Sequence, residues 1–146
     1  MARRCRLLVG ATELGYAHIR RALNGDFDMV VVYNLSQAVA ALKEGVIDAI
    51  LCSIHFDESR MMDFVVAAKA LAPDVPFICC QILWSALRPS AIQSTVSAAE
   101  SQGALGFLDY NAALRIHGAA DADKYLREGL MRLLPPEVGC AAAASM

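Results

Sequence analysis

Ser53 and His55 stand two residues apart in this 146-residue chain. A serine beside an imidazole is the smallest pair that supports nucleophilic catalysis, because the ring can take the hydroxyl proton. Along an extended strand, however, residues i and i+2 share a side without their tips meeting. The ring reaches Ser53 only if the chain turns back, so Ser53 is read as a polar residue at a strand end and no catalytic residue is expected. Glu13, Asp57 and Glu58 offer the hard oxygens that Mg²⁺ prefers. They are read as solvated loop carboxylates, and no metal is expected. His18, beside Arg20 and Arg21, is read as part of a solvated helix face rather than as a relay histidine. The stretch VGATELG carries Gly10 and Gly15 but has neither P-loop nor GxGxxG spacing, so no nucleotide or flavin cofactor is expected. Cys52, Cys79 and Cys80 lie in apolar runs and are read as small buried hydrophobes, whereas Cys140, in a loose tail, is read as the reactive thiol.

Strand-like and helix-like segments alternate along the chain around these residues. Arg6–Val9, Met29–Tyr33, Ala49–Ile54, Phe77–Cys80 and Leu105–Leu108 are short, nearly continuous apolar runs of the kind found in strands buried on both faces. Between them apolar residues recur at helical spacing. Thr12 is expected to cap a helix carrying Tyr16, Ile19, Ala22 and Leu23, which stops at Asn24-Gly25. Ser36 is expected to cap a second helix, with Val39 and Leu42 inward and Gly45 after it. Ser59 opens a third with Met61, Phe64, Ala68 and Leu71 inward, and Pro89 starts a fourth with Ile92, Val96 and Ala99. Asp121 or Asp123 begins a fifth with Leu126, Leu130 and Leu133, ended by Pro135-Pro136. Five strands alternating with five helices predict an α/β fold, a doubly wound five-stranded parallel sheet of order 2-1-3-4-5 with helices on both faces. Residues 1–136 form the expected domain and 137–146 an expected disordered tail.

Composition removes several function classes. Thirteen basic against fifteen acidic residues give a net charge of −2, so no nucleic-acid partner is expected, because phosphate binding needs a basic footprint. The longest apolar stretch, Val75–Leu87, is interrupted by Pro76, Gln81 and Ser85 and is short of the roughly 20 residues of a membrane span. No signal-peptide core develops after Arg3, Arg4 and Arg6, and a cytoplasmic location is expected. Apolar residues nevertheless make up 57% of the chain. That is more than one domain easily hides, and it points to an interface.

In an open parallel sheet, chemistry gathers at the carboxyl ends of the strands, and there the sequence resembles a known family. SQAVAALKEGVIDAILCS, residues 36–53, is similar to the segment of response-regulator receiver domains (CheY-like) that leads into the phosphoacceptor strand. Pro73-Asp74-Val75-Pro76-Phe77-Ile78 resembles the family's link into strand four, and Gly103-Ala104-Leu105-Gly106-Phe107-Leu108 resembles its strand five. The resemblance covers about residues 5–134 and implies a flavodoxin-like receiver fold. It also implies a degenerate site. The family's acidic pair falls on Gly10 and Ala11, its phosphoacceptor Asp on Ser53, its Thr or Ser after strand four on Gln81, and its Lys after strand five on Tyr110. Glu13, Asp57 and Glu58 sit a few residues from those positions. Phe107 matches the aromatic residue that swings on activation.

Receivers join strand five to the last helix with a few residues, whereas here Tyr110–Ala120 intervenes and is read as a long surface loop. The expectation is a non-phosphorylated pseudo-receiver, not an enzyme, that binds a signalling partner or itself. The expected homodimer uses the face of helix four, strand five and helix five, through outward residues of Ser90–Gln102, Tyr125, Met131 and the 110–120 insertion. The alternative is a flavodoxin-like ligand-binding domain or enzyme using the carboxyl-end pocket.

Overall fold

A computed structural model describes residues 4–136; the expected disordered tail and the reading of Cys140 lie outside the described residues. Five parallel strands, β1 (Arg6–Gly10), β2 (Asp28–Val32), β3 (Ala49–Ser53), β4 (Phe77–Gln81) and β5 (Gly106–Asp109), pair in the order β2-β1-β3-β4-β5. This is the expected doubly wound sheet. The helices are α1 (Glu13–Leu23), α2 (Leu35–Glu44), α3 (Met61–Leu71), α4 (Pro89–Ser101), α5 (Tyr110–His117) and α6 (Ala119–Leu133). β3 and β4 are buried at every position, as their unbroken apolar sequences require.

Alternation along the strands divides the core into two layers. Leu7, Val9, Leu51, Ile78, Cys80 and Leu108 face α1, α5 and α6, where Ile19, Tyr110, Leu126 and Leu130 meet them. Leu8, Ile50, Cys52, Phe77 and Cys79 face α2, α3 and α4, against Leu42, Phe64, Val65 and Ala99. Asp48 ties the start of β3 to β1, its carboxylate accepting the Arg6 N–H at 2.7 Å.

Several local expectations are corrected. The long loop expected over 110–120 is helical on either side of Gly118, so the described residues form six helices and not five. Asp109 caps α5 by accepting the Ala112 N–H at 3.0 Å, Tyr110 and Ala113 are buried one turn apart, and Gly118 closes the helix at φ 90°, a conformation that suits glycine. The cap of α2 is Asn34, which accepts the Gln37 N–H at 2.8 Å, and Ser36 is already helical. Ala38 and Leu42 form its buried stripe, with Val39 only half-buried. α3 starts at Met61 after an uncapped Arg60, not at Ser59, and Leu71 is exposed while Val65 takes the inward place. Thr12 does cap α1, accepting the Gly15 N–H at 3.0 Å.

Candidate functional site

Each of the positions singled out at the carboxyl edge of the sheet lies where the strand pattern puts it. Gly10 ends β1, Ser53 ends β3, Gln81 ends β4, and Tyr110 follows β5 directly. In the sheet register Gly10 is opposite Cys52, Ser53 opposite Cys80, and Gln81 opposite Asp109. The side chains do not converge on one cavity. They separate into a filled pocket, a hydrogen-bonded network and an open cleft.

The filled pocket lies at β1 and β3. A Cβ placed on Gly10 would stand 2.9 Å from a ring carbon of Phe64, 3.0 Å from one of Phe56 and 3.1 Å from Cys52 Sγ. The two rings pack at 5.2 Å centroid separation, and Phe64 meets Phe77 edge-on at the same distance. Phe56 reaches this position because the chain reverses after it through Asp57, Glu58 and Ser59, all at positive φ, and closes with Arg60 N–H donating to the Phe56 carbonyl at 2.8 Å. Three successive left-handed residues are costly outside glycine. The Asp57 carboxylate secures the turn by accepting the Leu35 N–H at 2.9 Å.

A divalent cation needs oxygen ligands, and the surroundings of Gly10 are two aromatic rings and a thiol. A Mg²⁺ site built on the acidic pair that the resemblance places at Gly10 and Ala11 does not fit these residues. Nor, among the described residues, do three His, Cys, Asp or Glu side chains converge elsewhere, Glu13, Asp57 and Glu58 included.

Ser53 is buried, and its Oγ accepts the backbone N–H of His55 at 3.2 Å. That bond comes from the main chain, and the His55 ring Nδ1 is buried without a partner. Burial lowers the pKa of His55, which favours the neutral ring. Cys52, Cys79 and Cys80 are buried thiols. Burial pushes all three up, Cys79 to about 12 with Glu100 contributing, so none is a ready nucleophile.

The network belongs to Tyr110, whose ring is buried in the layer under α1 and α6. Its hydroxyl donates to Asp123 Oδ1 at 2.7 Å and accepts from Arg21 at 2.8 Å. Arg21 also donates to both oxygens of Asp123, at 3.0 and 3.3 Å, and His18 packs its ring 5.6 Å from that of Tyr110. Burial and the Asp123 carboxylate raise the Tyr110 phenol to about 12. Burial alone would raise Asp123, but the hydrogen bonds from Arg21 and Tyr110 outweigh it and hold the carboxyl below its ordinary value. The position that the resemblance matched to a lysine is thus a structural pin joining α1, α5 and α6.

The open cleft lies at the ends of β4 and β5, with a volume of about 490 Å³, and Gln81, Trp84, Leu87, Ile92, Phe107 and Arg115 line it. Gln81 is 5% exposed. Its Nε2 donates to the Leu83 carbonyl at 3.4 Å, while its Oε1 is buried with no partner. Sequence reasoning named Gln81 and Phe107 but not Trp84 or Leu87. The available signal was the only tryptophan of the chain, lying between a buried strand and Pro89.

No family model matches this sequence, and no curated protein matches it either. Solved structures do. A putative response regulator from Chloroflexus aurantiacus superposes with a TM-score of 0.68 at 13% identity, over 90% of this chain and 98% of that one. The chemotaxis response regulator CheY4 of Vibrio cholerae gives 0.67 at 15%, over 90% and 100%. A Burkholderia pseudomallei response regulator, described with a phosphorylated aspartic acid, a calcium ion and citrate, gives 0.63 at 14%, over 98% and 73%. At such identities the likeness is one of fold. The chain has the fold of response-regulator receiver domains, the CheY-like form of the flavodoxin-like sheet.

Proposed function

We propose that this chain is an interaction module on the receiver fold, acting in bacterial signal transduction in the cytoplasm by binding a signalling protein or a second copy of itself. It is not an enzyme and does not accept a phosphoryl group. The observation that carries this reading is the packing at Gly10, where aromatic carbons 2.9 and 3.0 Å from a notional Cβ occupy the place of a metal-binding carboxylate. Phosphoryl transfer works by charge neutralisation and positioning. Here Gly10 and Ala11 offer a cation no carboxylate, Ser53 has no carboxylate to form an acyl phosphate, and its hydroxyl is bonded to the main chain.

Incubation with acetyl phosphate and Mg²⁺ is expected to leave the intact mass unchanged. A gain of one phosphoryl group, abolished by Ser53→Ala, would overturn the reading. Millimolar Mg²⁺ is likewise expected to leave the melting temperature where it is. Stabilisation removed by Glu13→Gln or Asp57→Asn would restore a metal site.

The partner surface in this reading is the face of α4, β5 and the last helix, α6, extended by α5. Tyr125 and Met131, expected as outward contacts, are half-buried and pack against the core, and the Tyr125 hydroxyl accepts the Asp109 N–H at 2.9 Å. The better contact is Ile116 on α5, which is 72% exposed. Light scattering at micromolar concentration is expected to give a dimer that Ile116→Glu splits without unfolding. A dimer that survives the charge places the interface elsewhere, and a monomer throughout assigns the surface to a different protein.

A further inference from the structure

The cleft at β4 and β5 opens within the partner face, between α4 and α5, and its polar lining has a chemistry of its own. We propose that it is a binding site for a small, flat monocarboxylic acid bearing a hydroxyl or amide donor at the end remote from its carboxylate. Its volume, about 490 Å³, falls in the range of roughly 300–1,000 Å³ typical of small-molecule sites.

Gln81 lines its inner end, and the amide Oε1 is buried there without a partner. The Leu83 carbonyl fixes the amide so that the oxygen, not the nitrogen, is left over. A buried acceptor of this kind is satisfied when a ligand brings a donor to it. Arg115 lines the same cleft. Its Nε donates to Asn111 Oδ1 at 3.1 Å, which orients the guanidinium plane and leaves its terminal nitrogens to grip a carboxylate. Trp84 and Leu87, 68% and 51% exposed, with Ile92 and Phe107, supply apolar surface for a ring. A single guanidinium with the Asp109 carboxylate nearby selects a monoanion over a phosphate ester. One Asp109 oxygen is already taken by the Ala112 N–H.

The test is a titration of the full chain with 4-hydroxyphenylacetate, following the emission of Trp84, the protein's only tryptophan. A saturable change is expected. Arg115→Ala is expected to weaken binding about ten-fold, the size of a lost charge-assisted hydrogen bond. Gln81→Leu is expected to weaken 4-hydroxyphenylacetate about five-fold, as for a neutral hydrogen bond, and to leave phenylacetate, which lacks the hydroxyl, unchanged. Arg115 is exposed, so its variant tests the site even if Gln81→Leu fails to fold. Three results would overturn the proposal. One is no saturable change. Another is binding indifferent to Arg115→Ala, which marks adsorption onto Trp84. The third is emission that follows protein concentration and ignores the probe, which assigns the cleft to a second copy of the chain.

Discussion

At the ends of β1 and β3 the chain closes its pocket with aromatic rings, while at the ends of β4 and β5 it leaves a cleft of about 490 Å³. Open parallel sheets place their pockets where neighbouring connections diverge, which in this strand order is between β1 and β3. Here that location is core. A glycine without a Cβ admits Phe56 and Phe64, and a strained turn at 57–59 delivers the first of them. Two strands further along, α5 stands where a short connection would suffice, and with segment 82–88 it walls a cavity floored by Gln81. A fold offers an edge, and side-chain volume decides which part of the edge stays open.

The largest expected effect comes from forcing the closed region to resemble a metal site. Gly10→Asp inserts a charge and a Cβ into space held by two rings, and is expected to cost about 3–5 kcal/mol in chemical denaturation, the range for an uncompensated buried charge. If Gly10→Asp folds at wild-type stability, the pocket is not filled and the contrast between the two regions collapses.

A middle-sized effect concerns the wall of the open region. Tyr110→Phe removes the hydroxyl that bridges Arg21 and Asp123 at the start of α5, and is expected to cost about 1–2 kcal/mol. The same network sets two pH limits. The folded Tyr110 phenol lies at about 12, above its ordinary value of 10.0, so its contribution is full below 10.0 and is lost as pH rises towards about 12. The folded Asp123 carboxyl lies below its ordinary value of 3.8, so its contribution is present above 3.8 and is lost as pH falls through the lowered value. Thermal melts of Tyr110→Phe and Asp123→Asn across pH are expected to show a weaker alkaline and a weaker acid loss, respectively. Unchanged slopes would remove the network from the account.

The smallest effect is the sharpest discriminator. Gln81→Leu removes an unpartnered buried acceptor together with the 3.4 Å bond from Nε2 to the Leu83 carbonyl, and the two effects are expected to offset to within about 1 kcal/mol in the free protein. A loss clearly larger than one neutral hydrogen bond would mean that the Gln81 oxygen is already satisfied, and the cleft would then have no unmet acceptor.

Much of this arrangement was legible from residues. Continuous apolar strands of four to six residues announced burial on both faces, and Thr12, Gly45 and Pro89 marked helix ends close to where they fall. α5 was legible in principle, because Asp109 as a cap, a basic residue in the last turn and Gly118 at the close form a helix signature. By length alone the connection resembles a surface loop; its cap and closing glycine are what mark it as helical. The cap at Asn34 rather than Ser36 is a two-residue ambiguity between equally good capping side chains, resolved by where the strand releases the chain.

Period, run length and local turn chemistry settle the five strands, the parallel sheet and the identity of the residues along its carboxyl edge, though not α5. What that edge contains is set by long-range packing. Whether Phe56 turns back under Gly10, whether Tyr110 points to Asp123 or to a pocket, and whether Gln81 finds a partner depend on atoms far apart in the chain, and no local period encodes them. A glycine in a sequence is an absence of side chain. In the folded protein it is a volume, and here that volume belongs to two phenylalanines.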